Sequence, residues 1–148
     1  MMRSSIGKFV LIMGLSVSSA AFAEEHKVQM SNGGDDGVML FEPGYIKVNV
    51  GDTVTFVVKD PGHNVISLHV PEGANSWKGK VSTSLSVTLN KEGVYLYECD
   101  LHKMIGMVGV IQVGKPVNLE AAKKAAAEIS KKMAMGGEIF NGYLSKVK

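Results

Sequence analysis

The chain has 148 residues, with 16 Lys or Arg against 14 Asp or Glu and a single cysteine. That near balance leaves no basic footprint for a nucleic-acid partner, and one cysteine excludes an intramolecular disulfide framework. The length is enough for one domain with a real core once a targeting segment is removed.

That targeting segment opens the chain. Arg3 and Lys8 form a positive region, Phe9-Val10-Leu11-Ile12-Met13-Gly14-Leu15 an apolar one, and Ala21-Phe22-Ala23 a small-x-small cleavage pattern. Residues 1–23 therefore read as a signal peptide cleaved before Glu24. The apolar run is too short and too rich in serine to span a bilayer, so no membrane insertion is expected after cleavage. Removal of Arg3 and Lys8 brings the basic and acidic residues level, for a mature net charge of zero. A single unpaired cysteine in an exported chain is unusual in an oxidising compartment, and metal ligation would protect it.

The mature chain alternates polar and apolar residues over His26-Lys27-Val28-Gln29-Met30, as a strand does. Ser31 to Gly37 is a dense turn cluster, and Met39-Leu40-Phe41 is a short apolar run ended by Glu42-Pro43-Gly44. Ile46, Val48 and Val50 alternate with polar residues, Gly51-Asp52 turns the chain, and Val54, Phe56 and Val58 alternate again. The two runs are expected to be neighbouring strands of an all-β unit. His63 follows Asp60-Pro61-Gly62 near a strand end, and Leu85, Val87 and Leu89 mark a further strand. Tyr95, Tyr97 and Cys99 then share one face of a strand whose other face, Val94 and Leu96, is also apolar, so its back needs a cover. The tail supplies one. Asn118 is placed as an N-cap, Leu119, Ala122, Ala126, Ile129 and Met133 form one helical stripe, and Gly136-Gly137 is positioned to end the helix. A second short helix is expected between Glu138 and Leu144.

The chemistry concentrates in Cys99-Asp100-Leu101-His102-Lys103-Met104-Ile105-Gly106-Met107, a Cys-x2-His-x4-Met pattern between two strands. Thiolate, imidazole and thioether form a soft donor set suited to copper, and a blue-copper site needs one more histidine, which His63 offers. One upstream His with a downstream Cys-x2-His-x4-Met resembles the cupredoxins, the small blue-copper electron-transfer proteins. Plastocyanins share the spacing. The helical tail, with Phe41-Glu42-Pro43, Gly62-His63-Asn64-Val65 and Met107 to Val113, is similar to the pseudoazurins over nearly the whole mature chain.

The resemblance implies a mainly β fold, a cupredoxin-like Greek-key β-sandwich over residues 24–117, and a packed C-terminal extension of one or two helices over 118–148. It implies one copper per chain, cycling between Cu(I) and Cu(II), with His63, Cys99, His102 and Met107 as ligands. Asn64 takes the place of a residue that ties the two ligand loops together. Met39 stands where a methionine packs beside the exposed histidine, and Leu101, Met104 and Ile105 complete an apolar rim, with Lys103 beside it. The implied function is that of a periplasmic, non-enzymatic, monomeric electron shuttle. Its partners would be a copper-containing nitrite reductase or c-type cytochromes with an acidic docking face. A periplasmic copper carrier or chaperone is the alternative. Three features depart from the pseudoazurin pattern: Glu98 where lysine is common, Lys103 where an aromatic is common, and a shortened loop from His63 through His69-Val70-Pro71.

Overall fold

The computed structural model describes residues 22–148. The signal peptide expected over residues 1–23 lies outside the described residues, apart from its last two positions. Eight strands form two four-stranded sheets. The first holds β1 (Glu25–Gly34), β2 (Gly37–Glu42), β4 (Thr53–Val58) and β6 (Leu85–Thr88), in the order β2-β1-β4-β6. The second holds β3 (Tyr45–Val48), β5 (Ile66–His69), β7 (Gly93–Glu98) and β8 (Val108–Val113), in the order β3-β8-β7-β5. This is the Greek-key sandwich expected from the sequence, followed by helices α1 (Leu119–Ser130) and α2 (Ile139–Leu144).

The core between the sheets follows from the two-residue period of the strands. Val54 and Phe56 of β4 face inward while Thr53 and Thr55 are half-exposed, and Thr53 and Thr55 bond across to Thr88 and Ser86 on the outer side. Phe41, Phe56 and Tyr97 meet edge to face, with Tyr97 4.8 Å from Phe41 and 5.0 Å from Phe56 between ring centres, a favoured arrangement of aromatic quadrupoles. Tyr97 lies opposite Gly109 on the paired strand. A Cβ at position 109 would fall 2.2 Å from the Tyr97 ring, so only glycine leaves that ring its place.

β7 and β8 are buried on both faces, and the tail covers their backs as expected. Val94, Leu96, Val108 and Val110 pack against Ala122, Ala126, Phe140 and Leu144, with Leu119, Ile129 and Met133 at the margin. Three expectations are corrected. β3 and β4 are not neighbours: the Gly51-Asp52 turn carries the chain from one sheet to the other, and β3 pairs with β8 while β4 pairs with β1 and β6. Asn118 precedes α1 but makes no side-chain cap. Its side chain instead accepts from the Val94 N–H at 2.6 Å and donates to the Val94 carbonyl at 2.9 Å, pinning the start of the helix to the buried strand. Finally, α1 stops at Ser130, short of Gly136, because the Ala134 and Met135 N–H groups are drawn away to the Met104 carbonyl at 2.9 and 3.1 Å.

Truncating Phe140, which is fully buried under β7 and β8, removes the largest fully buried side chain of the tail. Phe140→Ala is expected to cost about 3–5 kcal/mol, read as a lowered denaturant midpoint. An unchanged midpoint would mean that the helices lie on the sheet without contributing to its stability.

Candidate metal centre

Two segments bring the donors together. The first follows β4. After a bend at Asp60 to Gly62 the chain presents His63, whose carbonyl accepts from the Ser82 N–H at 2.8 Å. Its imidazole is fully buried, and Nε2 lies 2.9 Å from Asn32 Oδ1. That oxygen only accepts, so Nε2 carries the proton and Nδ1 keeps its lone pair. Burial, and next the neighbouring His102, holds the His63 imidazole below the usual histidine range. The neutral form is the one able to bind a metal.

The second segment is the connection from β7 to β8. The Cys99 N–H donates to the Met107 carbonyl at 2.9 Å, closing the loop at its base. Inside it, the His102 N–H reaches the Cys99 carbonyl at 3.1 Å and a short 3-10 turn follows over Lys103–Ile105. The result places His102 Nδ1 3.2 Å from His63 Nδ1 and 3.4 Å from Cys99 Sγ. Donor atoms of His63, Cys99 and His102 all lie within 4.8 Å of one another. Two imidazole nitrogens and a sulfur gathered this closely fit a copper ion, whose soft-donor preference they match. Met107 is fully buried in the same core cluster as Cys99.

Asn64 joins the two segments. Its Oδ1 accepts from the Asp100 N–H at 2.9 Å, and its Nδ2 donates to the Gly79 carbonyl at 3.3 Å. The side chain turns that same Oδ1 toward Cys99 Sγ, at 3.7 Å. The sulfur thus receives no N–H from Asn64, whose oxygen faces it.

Around the donors, His63, Cys99 and Met107 are sealed from solvent and His102 is half-buried. Leu101 and Met104 stand 55% and 49% exposed beside His102, with Ile105 half-buried. Met39 is partly buried against the core at a positive φ of 51°. Lys103 pairs with Asp100 at 2.9 Å, and this pairing holds the Asp100 carboxyl below its usual range. Glu98 faces into the sheet's covered side, where burial pushes its carboxyl up.

The sequence reads residues 31–37 as a turn cluster, but β1 runs on through Ser31 and Asn32 to Gly34, which hides Asn32 as a partner of the site. Only the parallel pairing of β1 with β4, Met30 opposite Val58, carries it to His63. The brace on the loop was equally hidden. Gly106 and Gly136, both at positive φ, approach so closely that a Cβ on either would lie 3.0 Å from the other's Cα. The segment between α1 and α2 thus lies directly on the donor-bearing loop.

A family model described as copper-binding proteins of the plastocyanin/azurin family matches residues 28–114. The chain is 38% identical over 128 residues to a pseudoazurin of Paracoccus pantotrophus, spanning 84% of this chain and 88% of that protein. It is 39% identical over 124 residues to the pseudoazurin of Methylorubrum extorquens, spanning 82% and 84%. Among solved structures, native pseudoazurin from Hyphomicrobium denitrificans superposes with a TM-score of 0.76 at 40% identity. That match covers 84% of this chain and 98% of that one.

Asn64→Ala leaves the buried Gly79 carbonyl and the Asp100 N–H without their partner. The expected loss is roughly 1–3 kcal/mol of folding stability, measured by chemical denaturation of the metal-free protein. A midpoint equal to that of the unsubstituted chain would show that the two segments hold their positions without this residue.

Proposed function

The chain belongs to the plastocyanin/azurin family of copper-binding proteins, and from that premise we propose that it is a periplasmic one-electron carrier. His63, Cys99, His102 and Met107 hold the copper in this reading. The observation that carries it is the convergence of two imidazoles and the only thiol on one point, with His102 alone reaching solvent. Copper bound there supplies a one-electron couple between Cu(I) and Cu(II).

The chain's own residues do the rest. His63 and the closed 99–107 loop hold the donors in place, so that little rearranges when the charge changes. Asn32 fixes the tautomer of His63, as an outer hydrogen bond fixes many ligating histidines. The core seals three of the ligands from water. His102, flanked by exposed Leu101 and Met104, is the point of entry and exit for the electron, because there a partner approaches most closely.

A copper carrier would use the same donors. It needs an open, exchangeable site, and the burial of Cys99, His63 and Met107 speaks against one. The leader expected over residues 1–23 supports export to the periplasm. The protein acts in this proposal as a monomer comprising the 24–117 sandwich and the 118–148 helical extension, with transient partners such as a copper-containing nitrite reductase or a c-type cytochrome.

Cys99→Ser should abolish the intense visible absorption of the Cu(II) protein, since a hydroxyl cannot replace the thiolate in the charge-transfer transition. A strong band surviving in that variant rules the site out. Met107→Gln should keep copper and lower the reduction potential, because a harder donor favours Cu(II). Met104→Leu, on the exposed rim, should shift it far less.

Docking gives the second test. Lys59, Lys78 and Lys80 are exposed, while Lys103 is already paired with Asp100. Exposed charges are screened beyond roughly 8 Å at physiological ionic strength, so steering acts on the association rate. Electron transfer to an acidic partner should slow modestly as salt rises, and further in Lys103→Glu, with the visible spectrum unchanged. Stopped-flow rates that increase with salt would exclude an acidic docking face.

A further inference from the structure

Where β1 and β4 begin, a second group of metal-binding side chains comes together. Glu24, His26 and Asp52 each present a ligand atom within 4.8 Å of the others. Parallel pairing of β1 with β4 sets Glu25 opposite Thr53 and His26 opposite Val54, which places the Asp52 turn against the start of the chain's first strand. His63 follows the other end of β4. The six residues of that strand separate the two groups by about 20 Å, so this cluster is no part of the copper centre.

Its geometry is specific. His26 Nε2 lies 2.9 Å from Asp52 Oδ2, and the Glu24 nitrogen lies 2.9 Å from Asp52 Oδ1. Both are hydrogen bonds, and they hold the donor groups together at the start of the two strands. Imidazole and carboxylate donors with no sulfur among them suit Cu(II) and Ni(II), and Cu(II) stands highest in the affinity order of the divalent ions. Asp52 is almost fully buried, and the Glu24 and Asn49 N–H groups that point at it keep its carboxyl ionised well below the usual range. It is thus a fixed anion in a rigid turn. His26 is half-buried and Glu24 exposed, which leaves the group open to solvent on one side.

We propose that Glu24, His26 and Asp52 form a second metal site, for a divalent tetragonal ion and above all Cu(II), at the end of the sandwich away from His63. The ion takes the place of the proton between His26 Nε2 and Asp52: from the neutral ring that proton passes through solvent to Nδ1, and from the protonated ring it leaves to solvent. Cleavage before Glu24, the expected processing point, converts the nitrogen beside Asp52 from an amide into a terminal ammonium, which becomes a fourth donor on giving a proton to solvent. Because neither strand has to move, binding clips the free end of β1 to the turn before β4. The donors are nitrogen and oxygen only, so this ion has no intense thiolate colour, and it does not share the redox role of the first site.

The test uses the processed chain with its first site already filled by one copper, titrated with Cu(II) by calorimetry and electron paramagnetic resonance. The expected result is one further equivalent with a tetragonal signal of wide copper hyperfine splitting, and no gain in the thiolate band. His26→Ala and Asp52→Asn should each abolish that equivalent and leave the thiolate band as it was. Should Asp52→Asn fail to fold by circular dichroism, Glu24→Gln, on an exposed side chain, replaces it and should weaken binding. Absence of a second equivalent in the unsubstituted chain overturns the proposal. So does one that persists undiminished in Asp52→Asn or, where that variant does not fold, in Glu24→Gln, since the ion would then sit on the terminal amine and His26 alone. Failure of the first-site reading shows separately, as a missing thiolate band before any titration begins.

Discussion

The hydrogen bond from Cys99 N–H to the Met107 carbonyl is the constraint on which the metal centre depends. It is the last rung of the β7–β8 ladder, one step beyond the pair Glu98 and Val108. Everything between those two residues is a closed loop with both ends anchored in a sheet buried on two faces. A short loop held this way has few conformations to lose. The positions of Cys99, His102 and Met107 are therefore set by the sheet, before any ion arrives. Such preparation suits a site that must accept two charge states without reorganising.

The double burial of that sheet explains the tail. A sandwich of this kind could leave its outer face to water with polar residues there, and the first sheet does so with Thr53, Thr55, Ser86 and Thr88. β7 and β8 have no such option. Val94, Leu96, Val108 and Val110 need a cover, and α1 with α2 provides it. Asn118 fastens the cover by bonding both backbone groups of Val94, and Met104 fastens its far end through Ala134 and Met135. One helical hairpin thus stabilises the strand that ends at Cys99 and the loop that carries His102.

Much of this was legible in the sequence wherever the relevant pattern is local. The alternation of Val54 and Phe56 with threonines marked β4, the two-sided apolarity of Val94 to Tyr97 called for a cover, and the Leu119–Ala122–Ala126 stripe named it. The Cys-x2-His-x4-Met spacing located the loop because three of the four proposed ligands are neighbours in the chain. What escaped notice is long-range. Nothing near Asn32 marks it as the partner of His63, thirty-one residues on, and nothing near Gly51-Asp52 reveals that the chain changes sheets there. Asn118 has the side chain of a helix cap, but a buried strand offering an unpaired N–H and C=O competed for it and won. Gly136 carries the helix-ending conformation expected of it, at φ 75°, yet the helix has already stopped at Ser130. The pull of the Met104 carbonyl on residues 134 and 135 comes from a different part of the molecule.

The close approach of Gly106 and Gly136 ties two stretches of chain that would otherwise be free to diverge. A side chain at either position needs the backbone at the other to move, and that backbone includes the carbonyl of Ile105. Positions 106 and 136 therefore constrain one another. A donor loop transplanted from a relative without a helical tail would arrive with no counterpart for its bare flank. A tail transplanted alone would press on a loop not shaped to receive it. An exchange that carries both glycines together avoids that mismatch.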